Sequence, residues 1–268
     1  MARPNLSYLK NLFLFFCGVP AGALTGLTGM GSSVLLAPGI RWLLGLRPVR
    51  AAATALAATA FAALAALLSY AQHGDVRWVL ALLLTLGQII GAGWGTRLLA
   101  HVPVLTRLPL LWGILILAGG LALMAQGQHM LPERPWDHPI GGPVFWLLAL
   151  GVAALVGMVS RVIELGGVLL VPAAVELLHL PPHVAQGTAL VVLVLAALPG
   201  MLIYSRRGDL EPQATVWLSV GGVFGALAGA YWASQLRSES ALLFLFGIVL
   251  TIIGLTMVWR RDPPPTTA

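Results

Sequence analysis

The chain has 268 residues, of which 59% are hydrophobic and only 9% charged, with a formal net charge of +6. Soluble domains carry about 25% charged residues and must cover themselves with polar groups, so this composition excludes an ordinary soluble globule. It points to an all-α integral membrane protein with the lipid bilayer as its first partner, because apolar runs of ~20 residues cross the hydrocarbon core as helices. The basic residues lie thinly between apolar runs and form no stripe, which excludes a nucleic-acid partner. A single cysteine, Cys17, excludes an internal disulfide framework and a multi-thiolate metal site.

In chain order, Arg3 and Lys10 precede an apolar run that starts at Leu12 and continues past Gly22 to Leu46. No polar mature region follows, so the run is expected to be a retained membrane element, not a cleaved signal. It is too long for one ordinary span and is interrupted by Gly26-Leu27-Thr28-Gly29-Met30-Gly31-Ser32-Ser33. Glycine and serine weaken helix interiors, so two short helices meeting at an irregular turn are expected here. Ala51–Tyr70 follows as a span without charge, and two further apolar spans complete the segment 1–126. Residues 127–142, with Pro132, Pro135, Pro139, Glu133, Arg134 and Asp137, read as a polar linker loop.

The remainder, 143–268, repeats the first segment at an offset of 134 residues without a gap and ends in a short polar tail. Pro38 and Pro48 match Pro172 and Pro182. Thr54 matches Thr188, and Tyr70, Gly74 and Asp75 match Tyr204, Gly208 and Asp209. Gly87, Gly91 and Gly95 match Gly221, Gly225 and Gly229, a spacing that lets helices pack closely. The second copy has its own interruption, Ser160-Arg161-Val162-Ile163-Glu164-Leu165-Gly166-Gly167. Paired interruptions at matching places in two repeats are the best sequence pointer to a transporter's binding site.

The basic residues test the topology. If each first element is a broken hairpin that returns to its starting side, three spans remain per copy. Arg3, Lys10, Arg41, Arg47, Arg50, Arg97, Arg107, Arg206, Arg207, Arg260 and Arg261 then share one face, and only Arg77, Arg134 and Arg237 lie opposite. That asymmetry matches the positive-inside bias, puts both termini in the cytoplasm and inverts one copy relative to the other. The alternative, four plus four plain transmembrane helices, divides the same residues almost evenly.

The candidate site follows from the interruptions. A half-helix starting at Ser32 or Gly166 aims free N–H groups and a positive dipole end at the break, which suits an anion. Gly29, Gly31, Gly166 and Gly167 would let a ligand approach the backbone, and Ser32 and Ser33 would add hydroxyl donors. The same glycines would also serve a plain close-packed kink. Charges inside a membrane element cost ~2.5–3.5 kcal/mol and are usually functional. Arg161 is therefore a candidate anion contact and Glu164 a candidate proton carrier, although three residues apart on a helix they could also neutralise each other. Thr54, Thr188 and Gln186 would add hydrogen bonds either to substrate or between helices. No Walker-type loop, paired carboxylates, metal cluster or cysteine nucleophile is present, so no cofactor is expected. The reading is a carrier driven by protons or another coupling ion, not an enzyme; an anion channel remains the other reading, and oligomers are compatible with both.

The segment from Ala21 to Pro38, AGALTGLTGMGSSVLLAP, with Gly166–Pro172, GGVLLVP, and Leu180–Thr188, LPPHVAQGT, resembles the sulfite exporter TauE/SafE family of anion permeases over nearly the whole chain. The resemblance implies alternating-access transport of sulfite or an organosulfonate, or of a small non-sulfur carboxylate, in a bacterial cytoplasmic membrane. The chain departs from the family pattern at Ser32 and Ser33, where glycines are usual, and at Arg161 and Glu164.

Overall fold

A computed structural model describes residues 6–101, 109–128, 142–163, 168–236 and 238–259. Among the described residues the regular structure is helical throughout: α1 Leu6–Thr28, α2 Ser33–Leu44, α3 Pro48–Gln72, α4 Trp78–His101, α5 Pro109–Gly127, α6 Pro143–Ile163, α7 Leu170–Leu178, α8 Pro182–Arg206, α9 Pro212–Gln235 and α10 Glu239–Trp259. Within α1, α3, α4, α6, α8 and α9 lie segments long and apolar enough to cross a membrane. The chain is an integral membrane protein of the all-α class.

Helices α3 and α8, like α4 and α9, start and end 134 residues apart, matching the offset in the sequence. The first elements pack one residue out of that register. A Cβ on Gly22 would collide with Gly222, and one on Gly157 would collide with Gln88. Gln88 and Gly222 are 134 apart, whereas Gly22 and Gly157 are 135 apart, so the gapless register slips by one residue in the first element.

The chain divides into two compact units, residues 1–85 with 183–235, and residues 86–182 with 236–268. Each draws helices from both sequence copies. In the first unit α1 and α9 run parallel in close contact: Gly18, Gly22 and Gly26 face the backbone of Leu218, Gly222 and Ala226, while Gly221, Gly225 and Gly229 face Phe15, Val19 and Ala23. Every one of these positions lacks room for a side chain, which is why glycine recurs there. The alanine-rich α3 packs on α9 and is buried along most of its length.

Helix α2 folds back along α1. Its Leu36 and Ile40 join Leu14, Ala51, Ala55, Ala214 and Leu218 in one apolar cluster, so α1 and α2 form a hairpin. The open end of that hairpin is marked by polar contacts. Gln213 Nε2 donates to Asn11 Oδ1 at 2.9 Å. Arg50 donates to the Gly208 carbonyl at 3.2 Å and lies 3.8 Å from Glu211. The starts of α1, α3 and α9 therefore share one end of the unit, the arrangement that the hairpin division of charges requires. The interruption is narrower than the sequence suggested. Only Gly29–Ser32 leave the helical path, and α1 is a full 23-residue helix instead of a short one. Positive φ is needed only at Gly29 (+66°) and Gly31 (+74°), whereas Gly26 stays helical and serves close approach to α9.

In the second unit α5 and α10 run antiparallel, with Gly113 against Gly254 and Gly120 against Gly247. Helix α4 meets α6 where Gly91 faces Ala154, and α7 packs on α6.

Candidate functional site

The break between α1 and α2 leaves backbone groups without intrahelical partners at both of its sides. On the α1 side these are final-turn carbonyls. The Gly29 amide donates to Thr25 O at 2.9 Å. The Tyr70 hydroxyl lies 3.0 Å from Gly26 O and 2.7 Å from Gln186 Oε1, so its proton serves both acceptors. Gln186 Nε2 donates to Leu27 O at 2.9 Å. The Thr28 hydroxyl donates to Leu24 O at 2.8 Å and accepts from the Met30 amide at 3.3 Å. Gln186 is fully buried and its backbone packs on Gly29, where a Cβ would lie 2.9 Å from Gln186 Cα. Residues from α3 and α8 thus hold the end of α1 in place, and the chain leaves the helix at a fixed point.

The α2 side is different. Ser32 occupies the N-cap position, but its side chain makes no capping bond. The hydroxyls of Ser32 and Thr25 are 3.0 Å apart, and Thr25 also lies 3.0 Å from Ala21 O. No side chain caps the first turn of α2, where the Leu35 and Leu36 amides donate to Ser32 O at 3.1 and 2.9 Å, which leaves the Ser33 and Val34 amides at the end of a helix whose dipole is positive there. A crevice with about 160 Å3 of empty volume, too narrow for a water molecule, lies beside Ser32 and is lined also by Gly18, Gly22, Thr59, Ala62 and Gly222. Thr59 is the twelfth residue of the 25-residue α3, which places the start of α2 about half-way along a membrane span.

The sequence-predicted residues separate into three groups. Gly29, Gly31, Ser32 and Ser33 lie together at the break. Gln186 is brought there by α8, on the α1 side. Thr54 and Thr188 are engaged elsewhere: Thr54 Oγ1 accepts from the Glu211 amide at 3.2 Å, at the start of α9, and Thr188 Oγ1 accepts from the Arg77 amide at 3.3 Å, at the start of α4. The two bonds are counterparts, each joining one copy to the other. Glu164, Gly166 and Gly167 lie outside the described residues; Arg161 is in α6, but its side chain is outside them too. Sequence reasoning missed Thr25, Thr28, Thr59 and Tyr70. Tyr70 carried a signal, its match to Tyr204; Thr59 carried none beyond being a hydroxyl in a run of alanines. Among the described residues no group of His, Cys, Asp or Glu could hold a metal ion.

The comparisons with known proteins agree with one another. A probable membrane transporter protein of Xylella fastidiosa strain Temecula1 is 29% identical over 246 residues, covering 89% of this chain and 91% of the relative. The probable membrane transporter protein YunE of Bacillus subtilis is 24% identical over 271 residues, covering 93% and 97%. No solved structure matches. A family profile described as Sulfite exporter TauE/SafE matches residues 2–123 and 147–268. Nearly the whole sequence is thus accounted for twice over, by hydropathy and by kinship, and the chain belongs to the sulfite exporter TauE/SafE family.

Proposed function

We propose that this protein is a secondary transporter, not an enzyme, that carries a small anion such as sulfite or an organosulfonate across the cytoplasmic membrane. The observation that carries the proposal is the start of α2. Uncapped amides and the Ser32 hydroxyl face a break at mid-span, where an anion would replace the missing partners. The relatives named as probable membrane transporter proteins support the transport class.

In this reading Gly29, Gly31, Ser32 and Ser33 form the anion site of the first break, and Gly166 and Gly167 are the corresponding candidates of the second. Arg161 meets the anion, and Glu164 carries the coupling proton. Tyr70 and Gln186 position the first break, and Thr54 and Thr188 hold the helices around it. The antiparallel course of α5 and α10, whose facing glycines are equivalent in the two copies, supports inverted repeats, and the division of basic residues supports both termini in the cytoplasm.

Reconstitution into proteoliposomes and current recording on solid-supported membranes test the proposal. Sulfite, thiosulfate, alkyl sulfonates and small carboxylates form the panel. Saturable currents with at least one of these anions, dependent on a proton or ion gradient, are expected. Absence of current with every anion in both directions overturns it. Glu164→Gln that leaves gradient-driven flux unchanged removes the coupling role alone.

A further inference from the structure

Three polar side-chain atoms among the described residues of the first unit, Thr59 Oγ1, Ser219 Oγ and Arg50 Nε, are buried without a partner, and of the three residues only Thr59 lines the crevice beside Ser32. Thr59 is 2% exposed, and its Oγ1 is buried with no hydrogen-bond partner. Threonines in membrane helices ordinarily satisfy themselves on the carbonyl one turn back, as Thr25 and Thr85 do here. Thr59 does not, and it lines the same crevice as Ser32. A buried polar group left unmatched in a native structure calls for a partner the protein does not itself provide.

The copies differ at this point. The residue 134 positions beyond Thr59 is Leu193, and Gly31 sits between the two: a Cβ on Gly31 would lie 3.4 Å from Thr59 Cγ2 and would press on the Leu193 side chain. Gly31 therefore meets the Thr59 methyl on one side and the Leu193 isobutyl group on the other. The Ser32 hydroxyl is freed for a ligand when Thr25 donates to it instead of to Ala21 O, since the three oxygens are already in reach. Ser32 and Thr59 then line one small volume beside the start of α2, walled otherwise by Gly18, Gly22, Ala62 and Gly222.

No residue lining that volume is charged. The positive end of a helix amounts to roughly half an elementary charge. The cost of taking an ion out of water rises with the square of its charge, and a dianion needs a cation beside it to recover that cost. We infer that Thr59 and Ser32 form a neutral-donor cradle that selects a singly charged oxyanion headgroup over a doubly charged one, with Thr59 as the specificity-determining residue. This rests on the proposed anion transport and adds to it the charge state of the cargo and the residue that reads it. The cradle holds the headgroup by its oxygens against glycine and alanine. Loading requires the crevice to widen, as a carrier's alternating exposure provides.

The test uses the full chain in proteoliposomes, with methanesulfonate as the singly charged probe and sulfate as the doubly charged one, at one pH and one ionic strength. The wild type is expected to prefer methanesulfonate in kcat/KM by at least about tenfold, because nothing beside the cradle offsets the dehydration of a second charge. Thr59→Val is expected to raise KM for methanesulfonate about tenfold, with kcat changed less than about twofold, and Thr59→Ser to restore the wild-type KM. Thr59→Val removes an unmatched hydroxyl at constant volume, so its apparent Tm should equal or exceed that of the wild type while the rise in Tm on adding methanesulfonate is lost. A purely structural threonine would not produce that combination. Sulfate carried as well as methanesulfonate overturns the inference, and so does a Thr59→Val protein with wild-type KM; in both cases anion transport itself stands. A wild type that moves neither these probes nor any other anion of the panel overturns the transport reading and this inference together.

Discussion

The Tyr70 hydroxyl lies 2.7 Å from Oε1 of Gln186, and together the two side chains occupy the carbonyls of Gly26 and Leu27 at the end of α1. A helix that stops inside a membrane leaves its last carbonyls in a medium without water, where each unmatched group is costly. Tyr70 comes from α3 and Gln186 from α8, so the stop is held by helices remote in sequence. Tyr70→Phe is expected to lower stability by about 1–2 kcal/mol, because Gly26 O and Gln186 Oε1 lose their shared donor. Gln186→Leu should cost about as much, since it strands Leu27 O while the Tyr70 hydroxyl keeps Gly26 O. Apparent Tm values in detergent for the two single variants and the double variant check this. A double variant whose loss equals the sum of the single losses would show that the two side chains do not act as one clamp.

The two left-handed glycines make a second prediction with an internal control. Gly29→Ala and Gly31→Ala each place a Cβ on a backbone with positive φ, which costs roughly 1–2 kcal/mol before any collision is counted. At Gly29 the new Cβ also meets Gln186 backbone at 2.9 Å. Gly39 lies inside α2 with nothing near its would-be Cβ, so Gly39→Ala should raise stability by up to about 1 kcal/mol through helix propensity. Opposite signs for alanine at positions 29 and 39, read by thermal unfolding, are the expected result. Equal shifts would mean that the turn at Gly29 is not rigid.

Much of this architecture was legible in the sequence because hydropathy and glycine spacing report directly on membrane helices. The run around Ala51–Tyr70 became α3, and the four-residue glycine rhythm at Gly221, Gly225 and Gly229 became the α1–α9 contact. The length of the break was misjudged because Gly26 and Gly29 look alike in sequence, yet one serves close packing and the other a left-handed turn. Thr54 and Thr188 were recognised as a matched pair, but their partners are the amides of Glu211 and Arg77, each in the other copy. Only the folded arrangement shows that. Thr59 was invisible for the opposite reason: what marks it is a missing bond, which no residue pattern records.

The reciprocal threonine bonds can be separated from substrate contacts. Thr54→Val and Thr188→Val each remove the acceptor for an amide at the start of a helix, at a cost of about 1 kcal/mol. Both should lower the apparent Tm while leaving KM for a transported anion within about twofold of the wild type, the size of change that surface effects alone produce. Thr54→Ser should behave as the wild type. If either valine variant instead raises KM at unchanged Tm, the residue touches substrate, one of the two roles the sequence offered for it.

The last prediction concerns which ends of the helices share a face of the membrane. Asn11 meets Gln213 and Arg50 meets Gly208, so the starts of α1, α3 and α9 and the turn before α9 belong to one end of the first unit. Four plain spans per copy would instead place the region of Arg50 across the bilayer from Lys10, because an odd number of crossings would separate them. In a Cys17→Ala background, Asn11→Cys, Arg47→Cys and Gly208→Cys should all react with a membrane-impermeant maleimide in vesicles of one orientation and not in the other. His73→Cys, exposed beyond the far end of α3, should show the reverse pattern. Reaction at positions 11 and 47 from opposite sides would rule out the returning hairpin of α1 and α2. It would also remove the mid-span start of α2 on which an anion site depends, since a half-helix that continued across the bilayer would have no reason to leave its first amides bare.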